Sequence, residues 1–161
     1  MYVVKRDGRR EAVKFDKITA RVKKLCYGLD PIVDATQVTL KVIDGIFDGV
    51  TTTELDNLTA EVAATMTVRH PDYAQLASRI AVSNLHKNTK KSFSETMKDL
   101  YDYIDPKTNQ RAPLLADDVH TLIQDNAELL DSASIYDSDF SYNYFGFKAL
   151  EGGYLLRLDG P

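Results

Sequence analysis

Apolar and polar residues alternate at the start of the chain, which predicts two short strands at residues 2–6 and 11–15. The apolar positions of these strands are Val3, Val13 and Phe15. The dipeptide Asp7-Gly8 lies between them and favours a tight hairpin turn, because glycine tolerates the positive φ that such turns require. The chain is therefore expected to open with an antiparallel hairpin.

After the hairpin the apolar spacing changes to three and four residues, which is typical of amphipathic helices. Four successive helices are predicted, the second over residues 35–47. Asp16 is expected to cap the first helix, and Thr51 with Glu54 forms a capping box at the start of the third. Pro71 suits the first turn of the fourth. Val50, just before the third helix, is placed to add a third strand to the hairpin.

The inner faces of these helices are expected to carry large aliphatic or aromatic side chains. For the second helix the predicted inner residues are Val38, Val42, Ile43, Ile46 and Phe47. For the third helix they are Leu55, Leu58, Val62 and Met66. The fold class predicted for residues 1–91 is thus mainly α, a four-helix unit capped by a two- or three-stranded β-sheet.

Residues 92–161 are predicted to add further helices, including one near residue 93 and one over 115–130. Five aromatic residues then fall within thirteen positions: Tyr142, Tyr144, Phe145, Phe147 and Tyr154. Such a cluster is expected to pack against a segment that lies outside this sequence. We therefore expect residues 92–161 to be the truncated start of a larger body.

The composition is that of an ordinary globular protein, with 43% hydrophobic and 27% charged residues. No apolar run approaches the roughly 20 residues that cross a bilayer, and basic residues interrupt the N-terminal segment where a secretory signal would be apolar. The single cysteine, Cys26, excludes an internal disulfide and fits a reducing compartment. The expected location is the cytoplasm, without a membrane partner.

Charge is distributed unevenly along the chain. Residues 1–24 contain nine Lys and Arg against three Asp and Glu, whereas residues 99–161 contain four against twelve, and the whole chain has a net charge of −4. A basic segment on an acidic protein favours a local anionic ligand over a nucleic-acid surface. A solvated pair of charged strands is the alternative explanation.

Catalytic chemistry finds little support in the sequence. The three histidines, His70, His86 and His120, are widely spaced and match no metal-site pattern. Cys26 lies between apolar residues and is expected to be a buried structural thiol. No glycine-rich phosphate loop or nucleophile motif is present.

The basic hairpin is the better candidate for function. Lys5, Arg6, Lys14 and Lys17 are expected to cluster near the strand ends, and two helix starts nearby offer free backbone amides and positive dipole ends. The second of these starts is the threonine run at residues 51–53. Together they form a possible polyphosphate site, although the threonines could equally serve only as a helix cap and the basic residues only as solvated charges.

Several segments resemble the ATP-cone region of the large subunits of class I ribonucleotide reductases, particularly the eukaryotic type. These segments are YVVKRDGRRE (2–11), VKFDKI (13–18), LCYGL (25–29), GVTT (49–52), ELD (54–56), HPDYA (70–74), RIAVSNLHK (79–87) and DFSYNYFGFK (139–148). The last segment resembles the family's lead-in to an α/β barrel. One departure is the pair Gly152-Gly153, where the family usually has charged and polar residues.

The resemblance implies an allosteric domain that regulates reduction of ribonucleoside diphosphates. ATP would keep the enzyme active, and dATP would inhibit it by promoting an inactive assembly of large subunits. The implied effector is ATP or dATP, with Mg²⁺ expected because the metal offsets phosphate charge. Other large subunits and a small metal-radical subunit are the implied partners. The implied nucleotide-binding residues are Lys5, Arg6, Glu11, Ala12, Val13, Lys14, Phe15, Asp16, Lys17, Thr52, Asp56 and Lys87.

Asp56 by itself reads as an acid favoured near a helix start, but the resemblance gives it a role in sensing the sugar or the metal. Two other hypotheses remain open. A nucleotide-sensing transcriptional regulator would be expected to carry paired CxxC motifs, which a single cysteine cannot supply. An oligomerisation module would use the basic hairpin to contact an acidic neighbour. The family's catalytic residues fall outside this sequence.

Overall fold

The computed structural model describes residues 1–156 and 158, and this part of the chain is mainly helical. Its α-helices are α1 (Phe15–Lys23), α2 (Ala35–Ile43), α3 (Thr52–Thr65), α4 (Asp72–Asn88), α5 (Phe93–Tyr101), α6 (Asp117–Asp125), α7 (Ala127–Ala133) and α8 (Tyr144–Gly153). Its strands are β1 (Tyr2–Val4), β2 (Arg10–Ala12), β3 (Ile104–Asp105) and β4 (Gln110–Arg111). The predicted fold class is confirmed. Among the described helices, none combines the length and the apolar character needed to cross a membrane.

The N-terminal hairpin forms as predicted, but its strands are shorter. Val3 pairs with Glu11 in the antiparallel register, and Gly8 occupies the turn with φ of 81°. β1 ends at Val4, and just beyond it the amide of Lys5 donates to the carbonyl of Arg9 at 2.8 Å. The third strand is reduced to one parallel bridge between Val4 and Thr51.

Two helix starts show how local sequence decides a cap. Thr51 and Glu54 form the predicted capping box, with Glu54 N donating to Thr51 Oγ1 at 3.1 Å and Thr51 N donating to Glu54 Oε2 at 2.9 Å. The prediction that Asp16 caps α1 is wrong. Lys14 occupies that position without a side-chain bond, and Asp16 lies in the first turn, where its charge still favours the helix dipole. Phe15 begins α1 and is exposed rather than paired in a strand.

The buried face of α3 is rotated from the predicted one. Its buried residues are Asp56, Thr59, Ala60 and Ala63. Of the residues predicted for the inner face, Met66 just beyond α3 is buried, while Leu55, Leu58 and Val62 are only partly buried. Small side chains on this face allow α3 and α4 to lie close together. Phe47 is also misplaced by the prediction, because α2 ends at Ile43 and leaves Phe47 57% exposed.

The C-terminal segment packs against α4. Tyr144 and Phe147 of α8 are buried in the same core as the four-helix unit, whereas Phe145 and Tyr154 are exposed. The aromatic cluster is therefore divided between this core and the protein surface. The helix predicted over 115–130 is interrupted at Asn126, which separates α6 from α7.

Candidate functional site

A cavity of about 590 Å³ opens between the hairpin, α1, α3 and the end of α4. Its charged lining comprises seven basic residues and three carboxylates, a formal excess of four positive charges. The basic residues are Lys5, Arg6, Arg9, Lys14, Lys17, Arg21 and Lys87, and the acidic ones are Asp7, Glu11 and Asp56. The surplus makes this cavity attractive to an anion.

Arg6 joins the hairpin to both long helices. Its guanidinium donates to Asn88 Oδ1 at 2.7 Å, to Thr52 Oγ1 at 3.4 Å and to the side-chain oxygen of Asn84. It also lies 3.3 Å from Oδ2 of Asp56. Hydrogen bonds to α3 and α4 together fix the position of this cation at the edge of the cavity.

Asp56 is the acidic centre of the cavity floor, with a side chain that is only 12% exposed. Besides Arg6, it contacts Arg21 at 3.4 Å and Lys87 at 3.7 Å. One buried carboxylate is thus surrounded by three cations, which compensate the cost of burying its charge. The cluster as a whole retains two positive charges.

Glu11 holds a second group of cations on the hairpin side. Its carboxylate contacts Lys17 and lies 3.1 Å from Nζ of Lys5. Hydrogen bonds from Lys17 and Lys5 lower the pKa of Glu11 to about 2, so this residue is ionised at neutral pH. The Glu11 carboxylate thus lies between the two lysines and holds them close together.

Lys87 lies where α4 approaches the start of α3. Burial lowers the pKa of Lys87 below its usual range, Asp56 raises it, and Arg21 and Arg6 lower it further. A second cavity of about 460 Å³ adjoins the first here. It is lined by Lys5, Arg6, Thr51, Thr52, Thr53, Lys87 and Asn88. The free amides at the α3 N-terminus add to the positive potential of this region.

Most of the residues implied by the resemblance line the larger cavity: Lys5, Arg6, Glu11, Ala12, Val13, Lys14, Lys17, Thr52, Asp56 and Lys87. Phe15 and Asp16 are not among the lining residues. Arg21 does line the cavity, although the sequence analysis did not predict it as a site residue. The sequence feature that could have identified Arg21 is its position four residues after Lys17, because this spacing puts both cations on one face of α1.

Two histidines and the cysteine that lie outside the cavity make contacts with neighbouring residues. Nδ1 of His70 accepts from the amide of Asp72 at 3.2 Å, and the His120 ring stacks on Tyr101 with centroids 3.8 Å apart. Cys26 is half-buried just beyond α1, and burial raises the pKa of its thiol. Within the described part of the chain, no cluster of three or more His, Cys, Asp or Glu could hold a metal ion.

The sequence of this chain is similar to those of known proteins. The sequence profile described as "ATP cone domain" matches residues 1–88. The chain is 61% identical over 161 residues to the ribonucleoside-diphosphate reductase large chain of Schizosaccharomyces pombe. It is 58% identical over 161 residues to the large subunit of Danio rerio and 60% identical over 165 residues to that of Arabidopsis thaliana.

Each of these alignments covers 99% of this chain and 20% of the relative, so the chain spans about a fifth of the relatives' length. The resemblance noted in the sequence is confirmed by the family match and by these relatives. The chain belongs to the ATP cone domain family.

Proposed function

We propose that this chain is the allosteric activity domain of a ribonucleoside-diphosphate reductase large subunit, and that its larger cavity binds ATP or dATP. The observation that supports this most directly is the cavity itself. It is lined by seven cations and three carboxylates and is large enough for a small-molecule ligand. The names of the relatives supply the parent activity.

The triphosphate would lie between the hairpin and the start of α3. Lys5 and Lys17 share Glu11, and Arg6 donates to Thr52, so the cations converge without a glycine-rich loop. Backbone amides at the α3 N-terminus offer further donors to phosphate oxygens. Mg²⁺ would accompany the nucleotide and reduce the repulsion between its phosphates.

The nucleoside would occupy the less polar side of the cavity. Apolar side chains there include Val13, Ile18, Val22 and Leu55, which suit the faces of a purine ring. Asp56 lies at the floor and can accept a hydrogen bond from a ribose hydroxyl, which a deoxyribose lacks. This difference would let the domain distinguish ATP from dATP.

In the parent enzyme, ATP bound here would keep reduction of ribonucleoside diphosphates active. Binding of dATP would promote an inactive assembly of large subunits. The small metal-radical subunit would be a further partner of the whole enzyme. The catalytic residues would belong to the remainder of the relatives' length, so this chain would regulate without turning over substrate.

The proposal is tested by calorimetry and thermal unfolding of the 161-residue chain with Mg²⁺ and each nucleotide. Saturation at 100 times the dissociation constant should add about 2.7 kcal/mol of stability. Lys17→Gln should weaken binding, whereas Lys23→Gln, on the exposed part of the same helix, should not. Absence of both heat and thermal shift would leave an oligomerisation module as the better explanation.

A further inference from the structure

We propose that Arg21 is a positioning residue that fixes the orientation of the Asp56 carboxylate, and so sets how the cavity distinguishes a ribonucleotide from a deoxyribonucleotide. The inference rests on the proposed nucleotide-binding function. Arg21 lies within α1, and its side chain is 24% exposed, extending to the cavity floor. It reaches Asp56 from α1, whereas Arg6 reaches Asp56 from the hairpin.

Among the described residues, Arg21 is the one that contacts both oxygens of Asp56. Its Nε lies 3.4 Å from Oδ1, and its Nη2 lies 3.4 Å from Oδ2. Arg6 and Lys87 approach only Oδ2, at 3.3 Å and 3.7 Å. The planar carboxylate rotates as a unit about the Cβ–Cγ bond, which has a broad torsional preference, and contacts with one oxygen restrain this rotation less than contacts with both. A planar guanidinium that faces both oxygens restrains this rotation.

A second contact holds Arg21 itself. Its Nη2 donates to Oγ of Ser83 on α4 at 2.9 Å. The guanidinium is therefore held between α3 and α4, with Asp56 on one side and Ser83 on the other. A change at Ser83 would loosen the same carboxylate without touching it.

The two oxygens of Asp56 differ in the number of cations that contact them. Oδ2 is approached by Arg6, Arg21 and Lys87, while Oδ1 receives one N–H from Arg21 within the described chain. A carboxylate oxygen has two lone-pair sites, so Oδ1 retains capacity for a donor on a ligand. The hydroxyl that separates ATP from dATP is such a donor.

Charge and orientation can be separated by substitution. Arg21→Lys keeps a positive charge beside Asp56, but an ammonium group is a single point charge and cannot reproduce the planar, two-nitrogen contact. Attraction for the phosphates should then be largely kept, because it depends on total charge. Discrimination between sugars should be reduced, because it depends on the direction in which Oδ1 points.

The experiment measures dissociation constants for ATP and dATP, with Mg²⁺, by calorimetry on the 161-residue chain. In Arg21→Lys the ratio of the two constants should move toward one by about three- to tenfold, the value of one hydrogen bond. The average affinity should change less than the ratio. Arg10→Lys is the matched control, because Arg10 is exposed on β2, stacks on Tyr2 and does not line either cavity.

Ser83→Ala provides a second variant that keeps Arg21 and should move the ratio in the same direction by a smaller amount. An unchanged ratio in both variants would overturn the inference, as would equal losses for both nucleotides with a lower melting temperature. If the unaltered chain binds both nucleotides equally, the inference fails while nucleotide binding stands. If the unaltered chain binds neither, the proposed function itself fails.

Discussion

Nε2 of His86 lies 2.6 Å from Oδ2 of Asp139, which ties the end of α4 to the 3₁₀ turn at Tyr136–Ser141. The two residues are 53 positions apart in sequence. His86 precedes Lys87, a residue that lines the cavity, so the same end of α4 contacts both the cavity and the C-terminal segment. The rings of Tyr136 and Phe140 meet the imidazole edge-on, with centroids 5.9 and 5.7 Å away.

Removing this contact should lower stability without abolishing the fold. Asp139→Ala deletes the partner of a half-buried imidazole, and loss of such a hydrogen bond costs about 1 kcal/mol. The melting temperature should fall by a few degrees in thermal unfolding. Asp137→Ala is the control, because Asp137 is exposed in the same turn. Equal effects of the two substitutions would show that the contact contributes nothing.

The depressed pKa of Glu11 predicts how stability depends on acid. Its pKa falls from 4.5 to about 2 on folding, so its contribution to stability is complete above about pH 4.5 and is lost as pH falls toward 2. Glu11→Gln should therefore be less stable than the unaltered chain near neutral pH, and the difference should shrink through this window. Melting curves between pH 2 and pH 7 measure it. A difference that stays constant across that range would contradict the assignment.

Glu11→Gln should also change ligand affinity. Without the carboxylate, Lys5 and Lys17 lose their shared counter-charge and become more available to phosphates. We expect tighter binding of triphosphate and a steeper decline with added salt, because the cavity gains one net positive charge. Glu128→Gln, on the remote helix α7, should leave both quantities unchanged.

Asp56→Asn should reduce discrimination between ATP and dATP. The amide nearly preserves the shape of the side chain but loses the charge that Arg6, Arg21 and Lys87 surround, so its orientation is no longer held by three cations. The ratio of the two dissociation constants should approach one by about three- to tenfold. Calorimetry measures it, with Asp118→Asn on α6 as the control. The same ratio in mutant and unaltered chain would exclude a sugar-sensing role.

Two glycines should respond in opposite directions to substitution by alanine. Gly8 has φ of 81° in the hairpin turn, where an alanine Cβ costs roughly 1–2 kcal/mol. Gly152 lies near the end of α8, with open space where an alanine Cβ would lie, so alanine should stabilise that helix by about 0.5–1 kcal/mol. Denaturant unfolding measures both changes. A stabilised Gly8→Ala would contradict the turn geometry.

Features encoded by neighbouring residues were predictable from sequence. The Asp7-Gly8 turn and the Thr51–Glu54 capping box each depend on residues within three positions of one another, and both form as expected. The cap at Asp16 was misplaced by two residues, because the exact residue at which a helix begins is poorly specified by local sequence, and Lys14 occupies the N-cap position without a capping side chain.

The sequence by itself determined the mainly helical unit, the basic hairpin and the resemblance to the ATP-cone family. These features are local, because they depend on periodicity, turn chemistry and short matching segments. Tertiary structure alone decided that α3 buries Asp56 instead of its larger aliphatic residues, and that Arg6, Arg21 and Lys87 meet there. Those side chains come from the hairpin, α1 and α4. Their meeting depends on how the helices are rotated and packed against one another, which no short stretch of sequence specifies.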